Sequence, residues 1–432
     1  MTLIRLVFRA FEMVILLTFY FARLCIYSAA FRLFGLGSAP KSLLGHSLAK
    51  LFESLGATFI KIGQILSSRP DLLPPEIVAP LSLLQDRVAP FDSKKIPGLI
   101  RDAFGQPIEA IFEHFEMAPI FGASVAQVHK ARLKDGREVA VKVRRPGIPN
   151  KVKGDLTLLR LCASTLSLIP AMRLVPLKEL IEEFGQAVAQ QLDFSIEAES
   201  NRRFRENFSG FDNIKFPVPV GELCTESILT MEFLKDLKKI EALDFTPDER
   251  KAVAIEGLRA LYKMIFVDGF IHADLHPGNI FFRRGEVIFL DFGMTATLVG
   301  DDLKNFVDFF YGMASNNGKV CARVVYDTAT FRTDEDNREM FEAAMVRMIN
   351  EHSIKEARDF EVTQFAAELF DLQRRFGIRG TTKFTMTIVS LAVFEGIVKQ
   401  LHPELDFQAE ARQFILKAWT RTSLRHSPPV ER

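Results

Sequence analysis

Asp274, Asn279 and Asp291 are spaced for a defined chemistry. The first two lie in His272-Ala273-Asp274-Leu275-His276-Pro277-Gly278-Asn279. The third opens Asp291-Phe292-Gly293, which follows the apolar run Val287–Leu290. Phosphoryl transfer needs one aspartate to orient or deprotonate the attacking hydroxyl. It also needs an asparagine and a second aspartate to hold Mg²⁺ against nucleotide phosphates. The same histidines and aspartates could build a hydrolase metal site or a buried polar network, but a second signal upstream favours a nucleotide. Lys142 closes the apolar run Val139-Ala140-Val141. An ammonium at the end of such a strand suits α- and β-phosphates. It needs an acidic partner to position it, and a helix holding Gln191, Asp193 and Glu197 offers two carboxylates one turn apart.

The elements that must carry these residues can be read from turn chemistry and periodicity. Val125–Arg132 and Arg137–Val143 flank Lys134-Asp135-Gly136, which predicts a hairpin. Residues 177–208 read as helical, and Ile228–Phe233 as a strand leading into a polar linker. Residues 45–118 read as helices interrupted by Pro70, Pro74, Pro75, Pro80 and Pro90, with strands starting only afterwards. After Gly293 the chain runs through Met294–Gly300 straight into helical Asp301–Phe310. Phe384–Phe394, eleven residues between Lys383 and Glu395, is too short to span a bilayer and reads as core.

Composition bounds the function class. The 432 residues suffice for two or three domains, and 48% are apolar. The 40 Phe stand against one Trp and five Tyr, so the aromatic content is apolar bulk. Net charge is +1, but residues 1–50 carry six Lys/Arg and one Glu, leaving 49 basic against 53 acidic residues elsewhere. A mildly acidic body lacks the footprint of a nucleic-acid binder. Four scattered cysteines with no CxxC pair fit a reducing compartment. Within Leu3–Leu36 the longest charge-free run is Met13–Ala22. Arg5, Arg9, Glu12 and Arg23 share one narrow arc of a helix. The expectation is an interfacial or shallowly inserted helix with its basic stripe against anionic lipid, a helix packed on the protein or a cleaved signal being the alternatives.

Taken together, these motifs resemble the protein-kinase-like fold, and in particular its UbiB/AarF branch of atypical kinases. Lys61-Ile62-Gly63-Gln64 matches that family's KxGQ signature. Ile120-Phe121-Gly122-Ala123-Ser124-Val125-Ala126-Gln127-Val128 matches its alanine-rich nucleotide loop. The resemblance runs from about residue 40 to 300, with continuation to about 410. It implies an α+β, two-lobed fold with a membrane-associating segment at 1–36 and a KxGQ-bearing helical extension at 37–118. The N-lobe is expected at 119–233, a mostly helical C-lobe at 234–422 and a tail at 423–432.

The resemblance also implies an atypical kinase or ATPase that binds ATP and Mg²⁺ between the lobes, on the cytoplasmic side of a membrane. Its work would support isoprenoid-quinone or related lipid metabolism, and its partners would be a lipid surface and an isoprenoid quinone or lipid precursor. Lys142 would hold phosphates, Glu197 would orient Lys142, and Asn279 and Asp291 would bind Mg²⁺, with Asp274 positioning water or an acceptor. The loop residues Ile120 to Ser124 and Val128, with Met231 and Phe233, would line the nucleotide. Lys61, Gln64, Gln191 and Asp193 would be regulatory. In place of the family's Glu-x-Asp the chain has Gln191-Leu192-Asp193, and a glutamine cannot neutralise Lys61. Ala273 replaces the usual arginine before the catalytic aspartate, and no Ala-Pro-Glu follows Asp291, which argues against peptide phosphorylation. A small-molecule phosphotransferase of the aminoglycoside- or choline-kinase type is the alternative enzyme, and a nucleotide-switched lipid-binding scaffold the alternative without catalysis.

Overall fold

Around Lys134-Asp135-Gly136 the chain reverses because Gly136 can take φ 88° at no steric cost. Gly136 N–H donates to the Leu133 carbonyl at 3.0 Å, and Leu133 N–H to the Arg137 carbonyl at 2.9 Å. The computed structural model of the chain describes residues 3–33, 40, 42–84, 89–167, 177–333, 337–353 and 360–425. They form two units, Met1–Glu199 with Val218–Phe233, and Ser200–Pro217 with Leu234–Arg432.

Unit 1 begins with six helices, α1 (Leu3–Leu33), α2 (Ser42–Leu55), α3 (Ala57–Ser67), α4 (Pro75–Ser82), α5 (Ile96–Phe104) and α6 (Ile108–Ile111). Strands β1 (Phe112–Phe115), β2 (Phe121–Gly122), β3 (Ala126–Leu133) and β4 (Glu138–Arg144) follow, then α7 (Ile148–Leu166), α8 (Leu177–Gln190) and α9 (Phe194–Asn207). The chain passes into unit 2 within α9, adds β5 (Ile214–Lys215) there, and returns for β6 (Pro219–Cys224) and β7 (Ile228–Glu232). The sheet of unit 1 has the order β1-β3-β4-β7-β6, with β2 paired to β3, and all its pairings are antiparallel.

Alternation gives this sheet two unlike faces. Ala131, Leu133, Val139, Val141, Val143 and Ile228 lie in one apolar cluster with Ile96, Ile100, Ile108 and Phe112. The opposite face carries Val128, Lys142, Leu229 and Met231, since Val128 and Leu229 both pair with Lys142, and Met231 pairs with Ala140.

Strand β1 corrects the reading of 45–118 as all helical. Its register shifts between Phe112 and His114, a bulge that breaks the period-2 pattern from which a strand would be recognised. The irregularity lets both phenylalanines serve the core: Phe112 is buried, and the Phe115 ring lies 5.3 Å from it and 5.1 Å from the buried His129.

Gly63 of the Lys61–Gln64 motif has a packing reason. A Cβ there would collide with Leu84 Cδ1 and come within 2.8 Å of Phe52 Cδ2. Gly63→Val is therefore expected to destabilise unit 1 by about 1–3 kcal/mol, read from the urea midpoint.

Helix α1 keeps its apolar surface open but pairs part of its charged stripe inside its own unit. Its 31 residues, with a mean hydropathy of 1.8 over the most apolar window, are long and apolar enough to cross a membrane. The stripe does not face outward as a whole. Arg9 is buried, its Nε 2.7 Å from Asp155 Oδ1 on α7 and its Nη2 2.7 Å from the Leu55 carbonyl. Tyr20 Oη meets Ser54 Oγ at 2.8 Å. Arg9 thus docks α1 onto its own unit, because a carboxylate and a helix-terminal carbonyl await its guanidinium there. Phe8, Phe11, Phe19, Phe21 and Ile26 remain exposed on the apolar surface.

Unit 2 comprises β5, α10 (Pro247–Tyr262), β8 (Phe270–His272), β9 (Ile280–Arg283), β10 (Glu286–Phe289), β11 (Thr295–Thr297), α11 (Asp301–Ala314), α12 (Gly318–Asp327), β12 (Phe331–Arg332), α13 (Arg338–Ser353), α14 (Val362–Arg375), β13 (Ile378–Arg379), α15 (Thr382–Leu401) and α16 (Phe407–Arg425). Much of the phenylalanine excess lies here. Phe204, Phe266, Phe282, Phe289, Phe292, Phe306, Phe309, Phe341 and Phe365 are all fully buried in one core. Helix α15 is also apolar enough to span a bilayer, but 67% of its window is buried, so it is a core helix.

Candidate active site

In unit 1 the Lys142 ammonium is fixed from three sides. It donates to Glu197 Oε1 at 3.0 Å and to Oε2 at 2.9 Å, and lies 5.1 Å from the centre of the buried Phe194 ring. Lys142 and Glu197 are both buried, so the pair interacts in a low dielectric and tolerates little misplacement. Phe194 opens α9, and its N–H donates to the Glu226 carbonyl, which sets where that helix starts.

Asp193 caps the same helix. Its Oδ1 accepts from the Ser195 N–H at 3.0 Å and from Ser195 Oγ at 2.5 Å. Gln191 and Lys61 are buried, and Gln64 Nε2 donates to the Leu84 carbonyl at 3.1 Å. Gln64 thus braces α3 against the segment after α4.

The alanine-rich loop is a tight bend between β2 and β3. Phe121 pairs with Val128, Gly122 with Gln127, and Ala123 N–H donates to the Ala126 carbonyl at 2.8 Å. Ile120 and Phe121 are exposed, while Ser124 is buried. Arg145 holds the loop from behind, its Nε donating to the Ala123 carbonyl at 3.0 Å. Nothing in the Arg144-Arg145-Pro146 sequence marks this role, so the sequence reading missed it. At the other edge Phe233 lies 4.9 Å beneath the Lys130 ammonium, and its N–H donates to the Glu138 carbonyl.

In unit 2 the segment from His272 to Asn279 is shaped by its own hydrogen bonds. His272 Nδ1 accepts from the Asp274 N–H at 3.2 Å, so Nε2 carries the proton and donates to the Leu290 carbonyl at 3.1 Å. Burial pushes the imidazole pKa down, and the ring sits between Phe204 and Phe292. This neutral histidine ties the Asp274 loop to the strand before Asp291. Asn279 Nδ2 donates to the Asp274 carbonyl at 3.0 Å, which leaves its Oδ1 as the atom able to meet a cation. Asp291 adopts φ 56° and accepts from the Gly293 N–H at 3.2 Å. A non-glycine residue held left-handed is typical of functional turns.

After Gly293 the chain joins β11, whose Thr295 pairs with His272, and only residues 298–300 separate β11 from α11. Ala273 is buried, with its N–H on the Met294 carbonyl at 3.0 Å.

His272 gives a pH prediction. Its folded pKa lies below the unfolded value near 6.5, so the unfolded chain binds the extra proton. The stability it contributes is complete above pH ~6.5 and falls as pH drops below it, with a slope of up to about 1.4 kcal/mol per pH unit. Urea midpoints from pH 8 to 5 should show this slope reduced by about one proton in His272→Asn.

The fold and these two sets of residues define a protein-kinase-like chain. The ABC1 atypical kinase-like domain model matches residues 83–325, and the UbiB helical domain model matches 345–406. The chain is 34% identical over 394 residues to "Probable protein kinase UbiB" of Tolumonas auensis, covering 89% of this chain and 72% of the relative. It is 33% identical to the protein of that name from Pseudomonas putida, with the same coverage. A solved structure of Rv3197 with erythromycin, from Mycobacterium tuberculosis, has a TM-score of 0.55 at 20% identity. That match covers 82% of this chain and 91% of the other, and it supports the kinase-like fold. The chain belongs to the UbiB family of ABC1 atypical kinase-like proteins.

Proposed function

We propose that this chain binds Mg²⁺–ATP and passes the terminal phosphoryl group to water or a small hydroxyl acceptor. We place this activity on the cytoplasmic side of a membrane, in support of ubiquinone or related isoprenoid-lipid biosynthesis. The carrying observation is the Lys142 ammonium held by both oxygens of Glu197, the arrangement a phosphate-holding lysine requires. The donor set also fits Mg²⁺: Asn279 Oδ1 and the Asp291 carboxylate are hard oxygen ligands. When bound, Mg²⁺–ATP supplies the phosphoryl group and the charge that balances it.

The chain's own residues have separable roles in this reading. Lys142 binds phosphate oxygens, Glu197 fixes its direction, and Arg145 with the Ala123 loop shapes the backbone nearest the nucleotide. Asp274 orients the hydroxyl and accepts its proton, while Asn279 holds the Asp274 main chain. Asp193 and Lys61 are assigned to regulation, and Met231 and Phe233 to the adenine. The direct run from Gly293 into β11 and α11 supports a small acceptor, because no long segment is present there to bind a peptide. The exposed apolar surface of α1 supports the membrane assignment.

An ATPase assay on the full chain, with and without Mg²⁺, anionic vesicles and quinone-precursor-like phenols, tests the reading. Mg²⁺-dependent turnover raised by vesicles is expected. Acceptor-dependent ADP release with choline or amino sugars would instead favour a small-molecule kinase.

A further inference from the structure

We propose that a cavity among α1–α4 takes the phosphate headgroup of an anionic lipid, with Arg23 as the group that reads the phosphate. The proposal rests on the membrane assignment above. The cavity has a volume of about 850 Å³ and is lined by Arg23, His46, Lys50 and Glu53 together with small and apolar residues such as Ile60 and Leu83. Ligand sites commonly have about this size and this mixed lining.

Charge balance singles out Arg23. Lys50 Nζ lies 2.7 Å from Glu53 Oε2, so that pair neutralises itself. Arg23 has no carboxylate partner among the described residues, and its Nε is buried with no acceptor. A buried, unsatisfied donor is costly and calls for an occupant. The guanidinium is held instead by two rings of its own helix, 5.0 Å from the centre of Tyr20 and 5.9 Å from that of Tyr27. This fixes its direction without using its N–H groups, and a planar fork of donors matches phosphate oxygens.

Position selects a lipid as the source of that phosphate. Phe19, Phe21 and Ile26, within four residues of Arg23, are exposed on α1. A phosphate at Arg23 can therefore belong to a molecule whose acyl chains lie along that apolar surface. Free phosphate would use the guanidinium but leave this surface bare.

The test uses the full chain, sedimented with vesicles of phosphatidylcholine and of phosphatidylcholine mixed with phosphatidylglycerol. Arg23→Gln removes the cation, Ala57→Phe fills the cavity without changing charge, and Arg5→Gln removes an equal charge from an exposed position of the same helix. The wild type should prefer the anionic vesicles. Arg23→Gln and Ala57→Phe should lose that preference by roughly tenfold, and Arg5→Gln by less than about twofold. Short-chain phosphatidylglycerol should raise the melting temperature of the wild type and not of Arg23→Gln.

Equal losses in Arg23→Gln and Arg5→Gln would overturn the proposal in favour of diffuse charge. An equal melting shift with inorganic phosphate alone would overturn the lipid assignment. No shift with either ligand would mean that Arg23 is merely hydrated, and would overturn the site. If the wild type bound neither vesicle, the membrane assignment would fail, while the melting experiment would still decide the cavity.

Discussion

Replacing Asp274 with asparagine is expected to lower ATP turnover by about 10²–10⁴-fold, the range a positioned general base contributes. The substitution keeps the side chain's size and leaves the backbone bonds of Asp274 to His272 Nδ1 and Asn279 Nδ2 in place. Mg²⁺–ATP affinity should therefore change by less than about tenfold, so that kcat falls and nucleotide binding survives. Steady-state kinetics alongside calorimetric titration separates the two. Undiminished turnover would remove Asp274 from the chemistry.

The second large effect concerns the anchorage of α1. Asp155→Asn leaves the buried Arg9 guanidinium with only the half-exposed Glu12 carboxylate, 2.7 Å from its Nη1, and leaving its buried donors short of a partner should cost about 1–3 kcal/mol. Unit 1 should lose most of that by urea denaturation, and α1 should become sensitive to proteases that cut after arginine. A double change, Arg9→Met with Asp155→Leu, removes both charges and should recover much of the loss. A single-variant cost below about 1 kcal/mol would mean that Arg9 is solvated and that α1 is held by its other contacts.

The candidate nucleotide residues were legible because phosphoryl transfer constrains type and spacing together. Asp274, Asn279 and Asp291 keep their intervals however the surrounding core is filled, and Lys142 stands in a strand whose hairpin turn is written in Asp135-Gly136. The acidic helix was legible as two carboxylates one turn apart, with Glu197 expected to orient Lys142, but the capping role of Asp193 was not. Glu197 faces Lys142, whereas Asp193 caps α9 through Ser195, a local bond that competes with longer-range roles.

What stayed hidden depends on neighbours distant in sequence. The bulge in β1 disguised a strand. The stripe on α1 has the same pattern whether it meets lipid headgroups or the Asp155 carboxylate 146 residues away, and only tertiary structure chooses. Arg145 owes its hold on the loop to a carbonyl, and Arg23 the burial of its unpartnered Nε to neighbours, that no spacing announces.

The central claim is that this UbiB-family chain binds nucleotide through Lys142 and a divalent cation held by Asn279 and Asp291. Calorimetric titration of ATP into the wild type and Asp291→Ala, each with and without Mg²⁺, tests it most directly. The account predicts that the wild type binds far more tightly with Mg²⁺ present and that Asp291→Ala abolishes this Mg²⁺ dependence. Binding by the wild type that is absent, or identical with and without Mg²⁺, would contradict it.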